Sequence, residues 1–473
     1  FDKVEGAENS STFLQIVKEK QMSYSEIILS THAFIPKSEL KKSLYALRDS
    51  FTLVSKSESD IAVDIYAETE THFGFPLHYS DFSLHTDNLI DKRSLGQAAQ
   101  FSMCENFELR DAQKTLLEKF LHPGAKVRTG WLLSMSTGSG KTVVGIRMLQ
   151  HLGRTALVIV PRQALVEQWI ERFLQFTDMS REDIGIAQQD VCDFRGRKVV
   201  IGMVHSLSKD KYSDEFKNYF GTVLYDECHT LGAQTFSQTV GMFPAKYRIG
   251  MSATMNRKDG LEDVYRYSVG EVVLEPKKIK TLVQPKVFLR AYKASKKHPY
   301  LEKMKDSKLR RGKLISELSN DLARNALIAV YAKKFSESDR RVVIFSDRVE
   351  QLKLLRDLLT KRHGMSLAAI GLFTGSTKEG DRKIILEHSK IILATYGVMA
   401  MGVDVPDLRA VIFATPLSDV AQSVGRILRL CEGAKDPVVL DIVDTSYYDC
   451  VRWSHKRQEY YKNTANAKLY ELK

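Results

Sequence analysis

Ser136-Thr137-Gly138-Ser139-Gly140-Lys141-Thr142 follows the apolar run 131–135 and precedes a stretch with helical periodicity. A turn that binds an anion needs several backbone N–H groups converging on one point, which small residues and glycines permit. The N-terminus of the following helix adds its positive end. Thr137, Gly138, Ser139 and Gly140 therefore read as a cradle for the phosphates of ATP. Lys141 is placed to reach the β and γ phosphates, and the Thr142 hydroxyl to ligate Mg2+. The common form of this loop has Gly where Met135 stands, but Gly-x-Gly-Lys-Thr is intact. The alternative is a plain glycine turn with a solvated Lys141.

Working outward, apolar strand-like runs occur at 131–135, 156–160, 199–204, 222–226 and 247–251, each followed by a helical stretch. Such alternation predicts a mostly parallel sheet covered by helices, here a first domain over 101–275. Asp226-Glu227-Cys228-His229 ends the run 222–226, eighty-five residues beyond Lys141. A strand terminus beside a phosphate loop is where Asp226 can hold Mg2+ and Glu227 can polarise the attacking water. The two acids can instead cap the next helix. His229 has no second soft ligand at metal spacing, so it reads as a link to the next motif. Upstream, 110–121 has an amphipathic helical pattern stopped by His122-Pro123-Gly124. Its Gln113 carries one donor and one acceptor, enough to read an adenine edge with Arg110 nearby, or it is simply a helix-surface residue.

The remainder divides by texture. Residues 1–100 carry no nameable chemical motif. A helix over 38–49 and a half-buried strand over 60–71, alternating Ile61, Val63, Ile65 and Ala67, predict a small α+β accessory domain. It either orients nucleic acid or caps the neighbouring domain. Residues 276–320 form a basic linker or insertion, with fourteen Lys or Arg against three Asp or Glu between 277 and 320. A helix over 317–335 leads into a second alternating region, 321–445, with strands at 342–346, 367–373, 391–395, 410–414 and 438–442. The polar, aromatic tail 446–473 reads as helical. The 473 residues accommodate two or three domains. A net charge of +12 favours a polyanionic partner. No run approaches 18 apolar residues, so no membrane partner is indicated. The five cysteines are too few and too scattered for a disulfide scaffold, and without Cys-x-x-Cys spacing they support neither a structural zinc site nor an iron–sulfur cluster; a reducing compartment is the simplest reading. The first residue is Phe1 rather than Met; a short preceding piece is expected to be missing, and no signal peptide is judged from it.

Over roughly 107–445 these segments resemble the superfamily 2 helicases and translocases of DExH type. The resemblance implies two tandem RecA-like α/β domains with a small N-terminal α+β accessory domain. It places Gln113 on the adenine-contacting motif, 136–142 on the phosphate loop and Pro161-Arg162-Gln163 on a strand-contacting motif. Asp226–His229 matches the DExH box, and Ser252-Ala253-Thr254 the segment that relays nucleotide state. In the second domain, Val343-Ile344-Phe345-Ser346 and 395–404 match the next two motifs, and 422–429 the arginine-finger segment. Arg257-Lys258-Asp259-Gly260 after Ser-Ala-Thr resembles the branch of DNA translocases related to the XPB repair helicase and phage UvsW. Lys258 stands where XPB has Glu, which points to the bacterial, phage or large-virus branch; transcript-release helicases of poxvirus type share the layout. The branch implies 3′-to-5′ movement on single-stranded, forked or branched DNA, with RNA as the alternative partner. It also implies a monomer on nucleic acid, possible replication, repair or transcription protein partners, and a cytoplasmic, nucleoid, viral-factory or virion setting.

Arg426 and Arg429 lie three apart and share one helix face, so both can stabilise charge on the γ phosphate, with Gln422 beside them; the plain alternative is a surface ion-pair face. Gly402 and Asp404 are expected, from the resemblance, to sense nucleotide and ribose. Backbone-reading candidates are Pro161, Arg162, Gln163, His205 and Ser206, then Ser346, Arg348, Gly375, Thr395 and Tyr396, with Arg257 at duplex. A non-catalytic nucleic-acid clamp is the reading from another class. The stretch with Lys296, Lys297, Lys303, Lys305, Arg310 and Arg311 is the candidate duplex-facing element. Neutralising four of these is expected to lower DNA affinity and flatten its salt dependence; an unchanged slope in a titration from low to high salt removes that role.

Overall fold

Ala156–Val160, Thr222–Asp226 and Ile391–Thr395 are predominantly apolar runs, and in the folded chain they are central strands covered on both faces. The structure is a computed structural model. It describes residues 24–56, 60–79, 86, 88–105, 107–121, 129–135, 139–209, 211–253, 255, 257, 259–270, 273–274, 284–304, 307–399, 408–417, 420, 435–463 and 467–472. The chain divides into two units, one ending at Lys277 and the other running from Lys278.

In the first unit, eight strands run in the order Val191–Cys192, Ile184–Gln188, Val199–Met203, Ala156–Val160, Thr222–Asp226, Tyr247–Ser252, Gly130–Ser134 and Val273–Leu274. All are parallel except the first, which closes a hairpin with its neighbour. Register fixes what meets at the carboxyl end: Asp226 lies beside Met251, and Ser252 beside Ser134. The helices Asp111–Leu121, Lys141–Leu152 and Gln163–Phe176 pack on this sheet through Leu116, Val144, Met148, Trp169 and Phe173.

The N-terminal residues of this unit form a five-stranded sheet, ordered Ala67–Glu68, His72–Phe75, Ala33–Pro36, Ile27–Leu29 and Leu89–Asp91, beside the helix Leu44–Phe51. Two local expectations are corrected. The helix expected at 38–49 begins at Leu44, because Ser43 caps it by accepting the Ala46 N–H at 3.2 Å. The single strand expected at 60–71 is two short ones: Ala62–Asp64 pairs with Thr52–Val54, whereas Ala67–Glu68 joins the five-stranded sheet. Alternation marks a buried face but does not name the pairing partner.

The second unit is a seven-stranded, wholly parallel sheet ordered Ile370–Phe373, Ile391–Thr395, Arg341–Ser346, Leu408–Phe413, Val438–Asp444, Lys286–Tyr292 and Lys468–Leu472. Two of these strands were not expected. Lys286–Tyr292 lies inside the basic stretch read as linker or insertion, with Val287 and Leu289 turned into the core. Lys468–Leu472 follows the helix Tyr448–Asn463 in the tail read as wholly helical. The helix expected at 317–335 is also two, Ser307–Asn320 and Leu322–Glu337. Asp321 separates them by capping the second, its carboxylate accepting the Arg324 N–H at 3.1 Å. Two fully buried ion pairs, Arg324–Asp444 and Arg457–Asp441, both forked, brace the last core strand.

The accessory sheet is joined to the first unit's large sheet around Arg248, only 1% exposed, which donates to the carbonyls of Ser268 (2.7 Å), Thr31 (3.0 Å) and Phe243 (3.1 Å). Burial, reinforced by the Arg248 charge, pushes His32 and His78 down to about 3. The His78 Nε2 is sealed from solvent without a hydrogen-bond partner among the described residues. Both imidazoles are neutral when folded but protonate below about 6.5 when unfolded, so their stabilising neutrality is complete above that pH and is lost as pH falls from 6.5 towards 3. The expected cost is about 2 kcal/mol per histidine at pH 5. Urea titrations at pH 7.5 and 5.0 measure it, and His78→Leu is expected to remove roughly half of the acid loss. An equal acid loss in that variant contradicts the assignment.

Candidate functional site

The strand Gly130–Ser134 delivers the chain into the phosphate-loop sequence, and the helix Lys141–Leu152 leaves it. Gly140 sits at φ +84°, a left-handed conformation that glycine adopts without penalty. A Cβ there would lie 2.3 Å from the Gln113 Nε2, so the Gln113 amide packs directly on the loop. Gln113 is buried, and its Oε1 accepts the Arg110 N–H at 2.9 Å, closing the start of its own helix. The plain surface reading of Gln113 is therefore incorrect. Ser139, Gly140, Lys141 and Thr142 are described; Thr137 and Gly138 lie outside the described residues.

Lys141 Nζ meets Glu227 Oε1 at 3.0 Å. Glu227 adopts φ +50°, a left-handed backbone that is unusual for a residue with a side chain and typical of functional turns. It stands at the N-cap position of the short helix Cys228–Gly232 without a side-chain cap bond, so the helix-capping alternative fails for this acid. Its Oε2 lies 3.4 Å from His229 Nδ1, which in turn is 2.8 Å from Ser252 Oγ. Thus Lys141, Glu227, His229 and Ser252 form one connected polar chain, with Ala253 next in sequence and Thr254 outside the described residues. Burial raises the Glu227 carboxyl, but the His229 hydrogen bond and the Lys141 charge outweigh it and hold the group at about 2. Asp226 is shifted the other way, first by burial and then by the Glu227 charge, with Lys141 opposing.

Sequence reading missed one functional neighbour. Trp169, 1% exposed on the helix Gln163–Phe176, donates its indole N–H to Asp226 Oδ2 at 2.9 Å. Asp226 Oδ1 accepts the N–H of Glu227 at 3.0 Å, so both carboxylate oxygens are oriented by donors. Each retains a second lone pair, and with the Thr142 hydroxyl this suits a Mg2+ that keeps water and phosphate oxygens as its other ligands.

The proposed backbone readers divide. Arg162, Gln163 and His205 are exposed at the ends of central strands, Pro161 is half-buried, and Gly375 is exposed with open space around its Cα. Ser206 is buried and accepts the Gln189 N–H at 2.9 Å. Ser346 is fully buried, donating to Gln351 Oε1 at 2.7 Å, while Arg348 reaches back to the Gly312 carbonyl (2.9 Å) and Ser316 Oγ (3.2 Å). Tyr396 stacks on Phe345 and donates to the Thr415 carbonyl at 2.7 Å, leaving Thr395 half-buried before it. Arg257 is engaged by Asp259 rather than free for duplex. In the basic stretch, Arg310 pairs with Asp449 at 2.9 Å and Arg311 lies over the Trp453 ring. Lys305, Gly402, Asp404, Gln422, Arg426 and Arg429 lie outside the described residues.

A parallel sheet that sets Lys141, at the start of a helix, against the half-buried Glu227 and beside the buried Asp226 suits ATP hydrolysis. Residues 106–257 match the family described as type III restriction enzyme, res subunit, and 323–431 match the helicase conserved C-terminal domain. A candidate ATP-dependent RNA helicase of Acanthamoeba polyphaga mimivirus is 31% identical over 86% of this chain and 78% of its own length. The DNA 3′-5′ translocase XPB2 of Sulfurisphaera tokodaii is 26% identical over 75% of this chain and 85% of its own. S. cerevisiae Dbp5 bound to RNA and ADP BeF3 shares the fold with a TM-score of 0.53 at 15% identity, covering 76% of this chain and 89% of that one. The chain belongs to the superfamily 2 helicases and translocases, an ATP-dependent family with DNA- and RNA-acting branches. It is a nucleic-acid-dependent ATPase.

Trp169→Phe keeps an aromatic side chain but removes the donor to Asp226. A hydrogen bond to a charged acceptor contributes about 1.5 kcal/mol, so ATP turnover at saturating Mg2+ and ATP is expected to fall about tenfold. Parent-like turnover in a steady-state phosphate-release assay removes Trp169 from the site.

Proposed function

We propose that the chain is an ATP-dependent DNA helicase or translocase of the branch related to XPB and UvsW, moving 3′ to 5′ and remodelling forked or branched DNA in repair, recombination or replication. The observation that carries the catalytic half is the Lys141–Glu227–His229–Ser252 chain beside Asp226. On this reading Lys141 exchanges Glu227 for the β and γ phosphates. Glu227 is thereby released to take a proton from the attacking water, while His229 and Ser252 report the change to the rest of the first unit. Thr142 and Asp226 hold Mg2+, which when bound neutralises phosphate charge. The backbone of 137–140 cradles the phosphates, and Arg110 with Gln113 faces the base.

The second unit is assigned Gly402 and Asp404 at the nucleotide and Gln422, Arg426 and Arg429 at the developing γ-phosphate charge. Arg162, Gln163, His205, Gly375 and Thr395 are assigned to the strand backbone, and Pro161 shapes that turn. Ser206, Ser346 and Tyr396 support these loops from inside. Arg348 and the basic helix Ser307–Asn320 act as one piece through the Gly312 and Ser316 contacts. The motor works as a monomer on nucleic acid.

The preference for DNA rests on the Arg257-Lys258-Asp259-Gly260 segment and the archaeal DNA translocase. The name of the mimivirus relative supports a second reading, an RNA helicase or transcript-release factor. One panel separates them: ATP turnover with single-stranded DNA, RNA, duplex, forked and four-way substrates at matched length and salt. Forked or branched DNA is expected to stimulate most, and greater stimulation by RNA selects the second reading. In the same panel Lys141→Ala is expected to abolish turnover while sparing most salt-sensitive binding. Full turnover in that variant would falsify the site.

A further inference from the structure

Of the charged residues in the segment Arg257–Gly260, Arg257 and Asp259 are described, and they are paired with each other. The Arg257 guanidinium forks onto the Asp259 carboxylate, with Nε at 2.8 Å from Oδ1 and the second bond from Nη2 to Oδ2. Its Nη1 donates to the backbone carbonyl of His229. The guanidinium also packs against Gly232, where an added Cβ would stand 2.6 Å from its central carbon. Both partners are about one-fifth exposed, at 19% and 20%.

The other side of the same turn faces the accessory domain. The hairpin Thr52–Val54 with Ala62–Asp64 ends in Ser55 and Lys56, and the Lys56 N–H donates to the Asp259 carbonyl at 2.8 Å. Gly260, at φ +74°, has the Lys56 side chain so close that a Cβ would meet it at 2.9 Å. A continuous series of bonds therefore runs from the accessory hairpin through Asp259 and Arg257 to the main chain of His229, whose ring touches Glu227 and Ser252.

We propose that Arg257 and Asp259 are a positioning pair that braces the loop Cys228–Gly232 against the accessory hairpin, so that the accessory domain sets the geometry of Glu227 through His229. The planar fork of arginine is required, because one ammonium cannot serve a bidentate carboxylate and a carbonyl in fixed directions. Neither residue touches the reacting atoms. The inference rests on the reading of Glu227 as the group that activates water.

The test uses the full chain with Arg257→Lys and Asp259→Asn, labelled single-stranded DNA and RNA of equal length, and saturating ATP with Mg2+. The expected result is at least a tenfold fall in kcat for each variant, with KM for ATP, nucleic-acid affinity and its salt slope within twofold of the parent. The double variant is expected to be no worse than the poorer single one, because both lose the same brace. In Arg257→Lys, hydrogen exchange is expected to rise over 228–232 and at the Lys56 amide. A weakened affinity with a shallower salt slope and full turnover at saturating nucleic acid makes Arg257 a phosphate contact and overturns the proposal. Faster exchange at 228–232 with none at Lys56 overturns its accessory half. A parent chain without nucleic-acid-stimulated turnover ends the reading of the site itself, whereas an active parent with an equally active Arg257→Lys ends only the brace.

Discussion

The constraint on which the site depends is the ion pair between Lys141 and Glu227, 3.0 Å apart and largely shielded from solvent. The constraint is demanding because Lys141 and Glu227 come from different strand-to-helix crossings. The two meet because the parallel register sets Asp226 beside Met251 and Ser252 beside Ser134, which brings three loop beginnings to one end of the sheet. A left-handed backbone at Glu227 is the local cost, of order 1–3 kcal/mol, and it turns the carboxylate towards Lys141 and His229 instead of along the strand. On the proposed reading, a triphosphate draws Lys141 away from Glu227 and so frees that carboxylate for hydrolysis.

Close packing beneath the loop makes that arrangement possible. Gly145, one turn into the helix that carries Lys141, faces Met251 and Trp169, and a Cβ there would sit 3.0 Å from the Met251 sulfur and 3.1 Å from the Trp169 ring. The helix can therefore settle onto the sheet with its N-terminus above the strand ends. Trp169 does two things in this small space: its ring fills the layer between helices and sheet, and its N–H fixes one oxygen of Asp226. At Trp169, core packing and the orientation of Asp226 depend on the same side chain.

Much of this was legible before any coordinates. The runs 156–160, 222–226 and 391–395 match strands to the residue because strands buried on both faces must be continuously apolar. That Lys141 and the acids at 226 and 227 belong to one site was an expectation from residue type, and the structure brings Lys141 and Glu227 together. Lys286–Tyr292 was hidden because Lys286 and Arg290 alternate with its core-facing Val287 and Leu289 inside a longer charge run. Lys468–Leu472 was hidden because an edge strand is half-exposed and keeps a polar face. Trp169 was not legible as a site residue, because sequence periodicity does not say which acceptor an indole N–H will find. Likewise, a motif position locates Ser206, Ser346 and Tyr396 on the right loops without telling whether their side chains face outwards. In all three cases backbone or neighbouring polar groups inside the fold claimed the hydrogen bond first.

The same competition limits what the net charge of +12 means. Arg248 is used to gather three carbonyls, Arg324 and Arg457 are neutralised by buried aspartates, Arg257 by Asp259, and Arg310 by Asp449. A cation already paired and hydrogen-bonded inside the protein neutralises no phosphate, so it displaces none of the counterions condensed on a polyanion. The field that a nucleic acid meets is therefore set by exposed side chains such as Arg162, not by the total. Internal arginines instead stiffen the joints: Arg248 and Arg257 sit where the accessory domain meets the ATP-binding sheet, and Arg324 and Arg457 at the last core strand of the second unit. In such a protein a basic composition reports on how rigidly its parts are joined as much as on the polymer it grips.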